Sequence, residues 1–511
     1  VKQIFTSFHN FIAKQMKKRN INKRLLGVGL FFCLFFKNSS AQLVISAQIR
    51  TRGEFRNGSS TLKLLDAAPA GFISQRSRLS FNYKLEKVTF GMSVQDVHVW
   101  GQDASTINYS DGAKLGVHEA WAETMLSDSL GLSLKVGRQE LSYDDTRLLG
   151  SLDWLQQGRR HDVAVLKFNK NGWQADLGAA FNQNSDAFGT AGTFYTAGNT
   201  PQYISNSKGY LVSVPTGFVP TNAAGAPVLT INPSTNGGQQ MYKAIQYLYV
   251  AKKWQTHKAS ALIFKDDFAK YRLDTLKNAD GGIVAGRKYD VTGINSRLTA
   301  GLLVSGTFRK NFNYWIGGYF QTGKNRDGID LSAYTTTAFL GYTQDKWLIG
   351  LGYDLVSGND MTTLTNTKDN KFDPLYGTPH KFWGAMDYFY VGTGGSAAGL
   401  SDPYLRLKYA FSPKLALGLD VHHFSLANNM PNKVADATGN TLLSKSLGTE
   451  FDLIGTFALN KATVLEMGYC VMAGTNTLEY LKRTTTDKTE HIATWAYISL
   501  NFKPEIFPTA R

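Results

Sequence analysis

Arginine recurs at alternate positions in two stretches of this chain that lie close together. Arg50, Arg52 and Arg56 interleave with Ile49, Thr51 and Phe55, and Arg76 and Arg78 flank Ser77. A guanidinium keeps its charge at any ordinary pH and presents a planar fork that grips a carboxylate through two parallel hydrogen bonds. Five such groups beside one acid, Glu54, form a candidate surface for anions. Other reactive-looking residues fit chemistry less well. Asp144 and Asp145 are adjacent, so in extended chain they point opposite ways and do not share acid/base work. His422 and His423 have the same geometry. His118, His161 and His380 have no nucleophilic serine in a recognisable motif. Asp327, Asp330, Asp360, Asp369 and Asp373 lack the spacing of a calcium loop and read as solvated loop acids. No glycine-rich phosphate loop joins a strand to a helix. No enzymatic activity, metal or cofactor is expected.

The elements that must carry the arginines are strands. From residue 45 to 56 one face reads Ile45, Ala47, Ile49, Thr51, Gly53, Phe55 and the other Ser46, Gln48, Arg50, Arg52, Glu54, Arg56. Such period-2 alternation means an extended strand with one apolar and one wet face. It recurs about eighteen times, within the size range of outer-membrane barrels. The links alternate as well. Short turns fall at 86–87, 127–129, 169–172, 254–257, 310–311, 344–346, 412–414 and 460–462. Longer connections fall at 57–71, 101–113, 140–159, 183–240, 268–293, 324–330, 357–399, 426–446 and 474–488. The two sets interleave without exception. The expected fold is all-β: a transmembrane antiparallel barrel of about 18 strands, with short periplasmic turns and long extracellular loops. Closure is required, because an open edge in lipid leaves backbone groups unpaired. At its length, 183–240 is expected to be functional, as a lid or plug, or to be mobile.

Charge sets which face looks inward. An Arg or Lys facing lipid at the midplane costs roughly 2–4 kcal/mol, so a face carrying several belongs to the lumen. That places Arg50, Arg52, Arg56, Arg76, Arg78, Asn82, Lys84, Arg297, Arg406 and Lys408 inside. The inward acids are Glu54, Glu119, Glu123, Asp176, Asp420, Glu450 and Asp452. Either these groups cross-brace the wall, or the arginines of the first two strands, too many for the one local acid, form an electropositive conduit. Conduction would need neighbouring acids to keep the grip weak.

The chain has 511 residues, 49 glycines, 13 prolines and 13% aromatic residues, a balance suited to many strands with girdled ends. No run of 18 or more apolar residues follows the N-terminal region, which excludes helical spans. Basic residues from 17 to 24, an apolar core from 25 to 36 and Ser39-Ser40-Ala41 read as a secretory leader over 1–41, with Met16 the expected start and Gln42 the first mature residue. Phe32 before Cys33 is too large for a lipoprotein signal. Residues 42–511 are expected to form one barrel. Eight of the 55 Lys and Arg precede Gln42 with no Asp or Glu, so the formal +16 becomes 47 against 39, or +8. Cys470 alone remains after the leader, which rules out an intrachain disulfide.

Two stretches carry more than pattern: GRQELSYDDTRLLGSLDWLQQGRRHDVAVLKF at 137–168 and FDPLYGTPHKFWGAMDYFYV at 372–391. Both resemble the alginate-export family of outer-membrane proteins, in the form met in the Bacteroidetes, and SLGTEFDL and GYDLVSGND agree. The resemblance covers nearly all of 42–511. It implies an eighteen-stranded monomeric barrel that passes an anionic exopolysaccharide outward by diffusion. It also implies lumen bases at Arg50, Arg76, Arg138, Arg160, Arg297 and Arg406, with acids at Glu119, Asp145 and Asp162. The GRQ segment breaks alternation, and a bulge there would re-aim Arg138 and Asp145. The family implies a long periplasmic plug between the sixteenth and seventeenth strands. Here that turn is Asn460-Lys461-Ala462, so any gate is expected among the extracellular loops. Expected partners are the anionic polysaccharide, outer-membrane lipid and the barrel-assembly machinery, with no nucleic acid. The classes left open are a channel for an anionic glycan, a general porin for small anions or oligosaccharides, and a barrel enzyme or adhesin.

Overall fold

The computed structural model of the chain describes residues 42–507, apart from 103–114, 187–188, 190–194, 197, 232–240, 364–366, 390–395, 433–440 and 485–487. The expected leader lies outside the described residues. Eighteen long strands form the wall. They are β1 (Gln42–Asn57), β2 (Ala70–Leu85), β3 (Val88–Val99), β4 (Gly116–Ser127), β5 (Leu132–Gln139) and β6 (His161–Lys170). Then come β7 (Trp173–Phe181), β8 (Ala244–Trp254), β9 (His257–Ala269), β10 (Ile294–Phe308), β11 (Phe312–Lys324) and β12 (Asp330–Gln344). The circuit ends with β13 (Trp347–Val356), β14 (Leu400–Ser412), β15 (Leu415–Ser425), β16 (Ser446–Asn460), β17 (Thr463–Gly474) and β18 (Ile492–Phe502). Each pairs antiparallel with its neighbours in the chain, and β18 returns to β1 with Phe502 opposite Ile49 and Ser499 opposite Arg52. The sheet closes, so every wall strand finds partners on both sides.

Local chemistry makes the hairpins. Between β6 and β7 only Asn171 and Gly172 intervene, at φ 51° and 76°, the pair of positive φ values that a two-residue hairpin turn demands. Inward aromatics lie flat over glycines of the next strand. A Cβ on Gly178 would meet the Tyr247 ring at 2.1 Å, and one on Gly468 would meet Tyr497 at 2.1 Å. Outside, Tyr83, Phe90, Trp173, Trp254, Phe308, Tyr342, Trp347 and Phe411 ring the short-turn end. Phe55, Phe181, Phe320, Tyr334, Tyr353 and Phe451 ring the other. Two aromatic belts around an apolar band are the exterior of a membrane barrel.

The buried core lies inside the barrel. One cluster joins Leu141, Leu148, Leu149, Phe372 and Tyr376 to the inward rings of Tyr247, Tyr249 and Phe264. A second joins Trp383, Met386, Tyr388 and Phe389 to Phe424, Met472, Trp495 and Tyr497. The connection 140–160 and the stretch 372–389 of the connection 357–399 therefore fold into the lumen, and each buried Leu or Phe there contributes about 1.5–3 kcal/mol to keeping them in. The described parts of 183–240 behave differently. They form short ribbons (Tyr203–Ser205 with Leu211–Ser213, and Phe218–Pro220) tied to a hairpin of Arg272–Lys277 and Ile283–Lys288 in the next connection. Over its described length this connection is held to its neighbour 268–293 by strand pairing, with Phe218 and Val219 buried, while the core clusters inside the barrel draw on two other connections.

A cysteine placed at Leu211, on the long-loop side, should react with a membrane-impermeant maleimide on intact cells. One placed at Lys461, in the short turn between β16 and β17, should not. Labelling at Lys461 would invert the orientation.

Candidate functional site

The site is where the two in-folded connections cross the lumen and dock on its wall. The first, 140–160, is cradled by β1 to β3. Arg50 donates to Asp153 at 3.1 Å, to Gln156 Oε1 at 3.0 Å and to the Trp154 and Leu155 carbonyls at 3.3 Å each. Arg76, fully buried, donates to Asp153 Oδ1 at 2.7 Å and to the Gln156 carbonyl at 3.2 Å. Arg52 donates to the Trp154 carbonyl at 2.8 Å and lays its guanidinium over the Trp154 ring at 4.0 Å. Gln95 reaches the Gln157 carbonyl at 2.8 Å while its own oxygen accepts from Arg78. A non-helical, non-sheet segment inside a barrel must have its carbonyls satisfied by side chains, and the wall arginines do this.

Farther along the same connection, Asp144 accepts from Tyr249 at 2.6 Å and Ser260 at 2.8 Å and pairs with Lys258 at 2.8 Å. Arg147 reaches the far wall, with Asp354 at 3.0 Å and Thr337 Oγ1 at 3.0 Å. The connection thus braces β1 to β3 against β8, β9, β12 and β13.

The second connection, 357–399, docks alongside. Tyr376 N–H donates to the Leu148 carbonyl at 2.9 Å, and Thr378 N–H to Thr146 at 2.8 Å. A Cβ on Gly377 would meet the Arg147 carbonyl at 1.9 Å, so only glycine permits this approach. Its wall anchors are Arg297 to Asp373 at 3.0 Å, Ala385 N–H to Asp452 at 3.0 Å and Met386 N–H to Glu450 at 2.7 Å. The two connections also share an aromatic knot. Trp154 stacks on His380 at 4.1 Å and meets Trp495 and Tyr497 edge-on at 5.7 and 5.2 Å.

The arginine reading needs one correction. The five bases of β1 and β2 were expected to outnumber local acids and stay partly unpaired. All five are ion-paired: Arg52 and Arg56 share Glu54, Arg50 and Arg76 share Asp153, and Arg78 lies 3.7 Å from Glu140. Asp153 and Glu140 arrive on the in-folded connection, about a hundred residues away, where alternation along one strand cannot show them. Burial opposes ionisation of Asp153, but Arg76, Arg50 and Arg78 together outweigh it and hold the carboxyl below the usual aspartate range. About half of its side chain stays open to the lumen, at 53% exposure.

The remaining site residues divide. Arg297 faces in, buried against Asp266 at 2.6 Å. Arg406 faces in and grips Asp420 at 2.7 Å. Lys408 shares that face, exposed, and no ion pair to it is found among the described residues. Glu119 accepts from the Glu140 N–H at 3.2 Å, Glu123 holds Ser133 and Lys167, and Asp176 accepts from Tyr143 at 2.9 Å. Asp145 lies on the crossing connection, 3.3 Å from Arg147. Arg138 and Asp162 are not lumen residues. They grip each other at 2.8 and 3.0 Å on the outer face of β5 and β6, while their neighbours Gln139 and His161 are buried inside. Alternation runs unbroken through Leu134, Val136 and Arg138, and the pair sits at the strand ends, where a charge facing outward costs about 0–1 kcal/mol. Arg160 is exposed just before β6 and stands next to this pair. The bulge lies one strand earlier, where the register shift between Ser93 and Val94 lets both His118 and Glu119 face inward.

Sequence reasoning missed Asp153, Trp154, Gln156, Arg147 and Asp373. Their signal was present as Leu, Trp, Phe and Tyr inside segments that otherwise read as outer loops.

A closed 18-stranded barrel, belted by aromatics and narrowed by its own connections, is an outer-membrane channel of a Gram-negative cell. The chain belongs to the alginate export family, whose model matches residues 41–181 and 224–490. Among solved structures it is similar to OccAB4 of Acinetobacter baumannii, with 12% identity and a TM-score of 0.53 over 92% of this chain and 99% of that one. It is also similar to opdK of Pseudomonas aeruginosa, with 10% identity and a TM-score of 0.52 over 91% and 98%. OccK3 of the same organism gives 12% identity and 0.51 over 91% and 96%. At these identities the likeness is one of fold. No curated protein matches the chain.

Two outcomes are expected at this site. Trp154→Ala removes the contacts to His380, Trp495 and Tyr497, and large-to-small changes of this kind cost about 3–5 kcal/mol when fully buried. Single-channel conductance should rise and fluctuate while the barrel keeps its heat-modifiable gel mobility; unchanged current would mean that the knot does not hold the constriction. The depressed Asp153 group stabilises docking fully above the ordinary aspartate value of about 3.9 and loses that effect as pH falls through its lower folded value. Conductance should therefore be flat from pH 8 to pH 5 and increase only at pH well below that ordinary value.

Proposed function

We propose that this protein is a diffusive channel for an anionic polysaccharide. The observation that carries the reading is the sharing of carboxylates in the arginine cradle. Five arginines of β1 and β2 are ion-paired with three acids, Glu54, Asp153 and Glu140, and Glu119 acts on Arg78 as a fourth, so the bases still outnumber the acids after pairing. Shared partners hold the guanidiniums in place and leave a positive field, which draws polyanions in without a trapping site. Membership of the alginate export family supports a polyuronate as the anion.

A second reading has its own support. Two connections folded into one lumen leave less room than a bare eighteen-stranded wall, and a structural neighbour, OpdK, was solved with vanillate, a small carboxylate. A porin for small anions would use the same surplus charge.

Planar-bilayer recordings separate the two. Under a KCl gradient the reversal potential should lie on the anion side, and alginate oligomers should interrupt the current where neutral oligosaccharides of equal length do not. Anion selectivity without interruption by alginate oligomers favours the small-anion porin; cation selectivity removes both readings.

A further inference from the structure

The outer face of β1 to β3 carries polar side chains where lipid would leave them without partners. Arg76 and Arg78 point into the lumen, and so does Gln95, which accepts from Arg78 and donates to the Gln157 carbonyl. Ser77, between the two arginines, and Asp96, next to Gln95, therefore face outward, and the register sets them opposite each other. Two residues nearer the long-loop side, Thr51, Gln75 and His98 stand in one row across the three strands. Side-chain bonds tie these groups together. Thr51 donates to Gln75 Oε1 at 3.3 Å and the Trp100 indole to the same oxygen at 3.1 Å. Gln75 donates to Ser77 at 3.3 Å, and His98 Nδ1 meets Asp96 Oδ2 at 2.6 Å. Height is read along β3 itself. Phe90 belongs to the short-turn belt, and Trp100, just past the strand and exposed, marks the other edge. A spanning strand has about 9–11 residues, and Asp96 comes six after Phe90 and four before Trp100. Asp96 and His98 thus open onto the apolar band, with 19% and 24% of their side chains exposed. The opposite wall turns Ile316, Leu340 and Leu351 outward instead.

Ionisable side chains at membrane depth face protein or water rather than lipid, because acyl chains offer no hydrogen bonds. We propose that this face is covered by a second copy of this chain, in an isologous dimer about a two-fold axis along the membrane normal. The bilayer gives both copies one orientation, so the axis runs that way. Self-complementarity of the patch selects a second copy over an unrelated protein. A carboxylate only accepts, so His98 Nδ1 carries the proton shared with Asp96, and Nε2 is left as an acceptor. Nε2 makes no hydrogen bond among the described residues. Gln75, opposite on β2, keeps a second amide hydrogen after its bond to Ser77, and Ser77 keeps its hydroxyl proton. Donors thus line β2 and acceptors line β3 at matched positions. A two-fold axis between these strands sets Gln75 of each copy toward His98 of the other, and Ser77 toward Asp96. On the short-turn side, Leu79 opposite Val94 and Phe81 opposite Met92 continue the face as an apolar shelf. The family resemblance implies a monomer, and this patch is the observation against it. The inference does not depend on what the channel carries.

The test is cross-linking of the full chain in intact outer membranes with a membrane-permeant bismaleimide, with heat-modifiable mobility as the check on folding. Ser77→Cys lies beside the proposed axis and should give a covalent dimer of twice the monomer mass. Ile316→Cys, on the opposite wall, should give none. Wild type, whose Cys470 is buried, controls for the native thiol. Adding Asp96→Leu and His98→Leu to Ser77→Cys offers lipid an apolar face, so the dimer band should be lost from a folded barrel. Should that variant fail to fold, Gln75→Leu with Ser77→Cys removes one donor and should lower the yield of dimer. No dimer from Ser77→Cys overturns the proposal, as does equal cross-linking from Ile316→Cys. A Ser77→Cys product whose mass reveals a different protein, or a yield unchanged in the folded variants, overturns it equally.

Discussion

The carboxylate of Asp153, shared between Arg50 and Arg76, is the contact on which the rest of the lumen depends. A connection between two membrane strands would ordinarily stay in water on the outer side. Here its carbonyls from Trp154 to Gln157 are taken up by side chains of β1 to β3, so its backbone enters the barrel with those acceptors satisfied. The guanidiniums of Arg50 and Arg76 are buried while about half of Asp153 is open to the lumen, so solvent screening holds the cost of removing the carboxylate below the about 3–5 kcal/mol of a fully buried pair. Once it docks, it brings Asp144 and Arg147 to the opposite wall and offers the ladder on which 357–399 settles. The constriction is therefore one connected structure, in which the arginine cradle, the far-wall contacts of Asp144 and Arg147 and the docked 372–389 stretch share the same connection.

The same contact governs the electrostatics. Arginines left unpaired would make a strongly positive surface that holds a polyanion too long, and fully matched ones would make a neutral strut. Sharing each of two carboxylates between two guanidiniums gives an intermediate. The positions are rigid, because each fork is committed at several atoms, and the field is still positive. Bracing by the arginines is what these contacts show, and the same residues carry the charge on which the proposed conduction rests.

Wall and connections carry different information. The eighteen strands resemble those of channels with which the chain shares about a tenth of its residues, because alternation, belts and closure are demands of the bilayer and tolerate almost any apolar side chain. The two motifs at 137–168 and 372–391 cover the first crossing connection and the core-forming stretch 372–389 of the second. There a glycine at 377, a tryptophan at 154 and an aspartate at 153 each meet a specified partner, so type and position matter together.

The wall was legible in the residues themselves. A side-chain period of two, eight short turns interleaved with nine long links, and the cost of charge in lipid determine strand number, direction and inward face, since each of these is local. At Arg138 the family pattern pointed inward and a bulge was expected to break alternation, but the strand period runs through it unbroken and turns it outward at the membrane edge, where a charge is tolerable. What the sequence could not decide is which long connection turns inward. Length favoured 183–240, but docking depends on whether wall side chains a hundred or more residues away can satisfy a loop's backbone and cover its apolar groups. Arg50 to Gln156 spans 106 positions and Arg147 to Asp354 spans 207. Such pairings exist only after the sheet has closed, so the paired state of the arginines and the shape of the lumen belong to the tertiary structure alone.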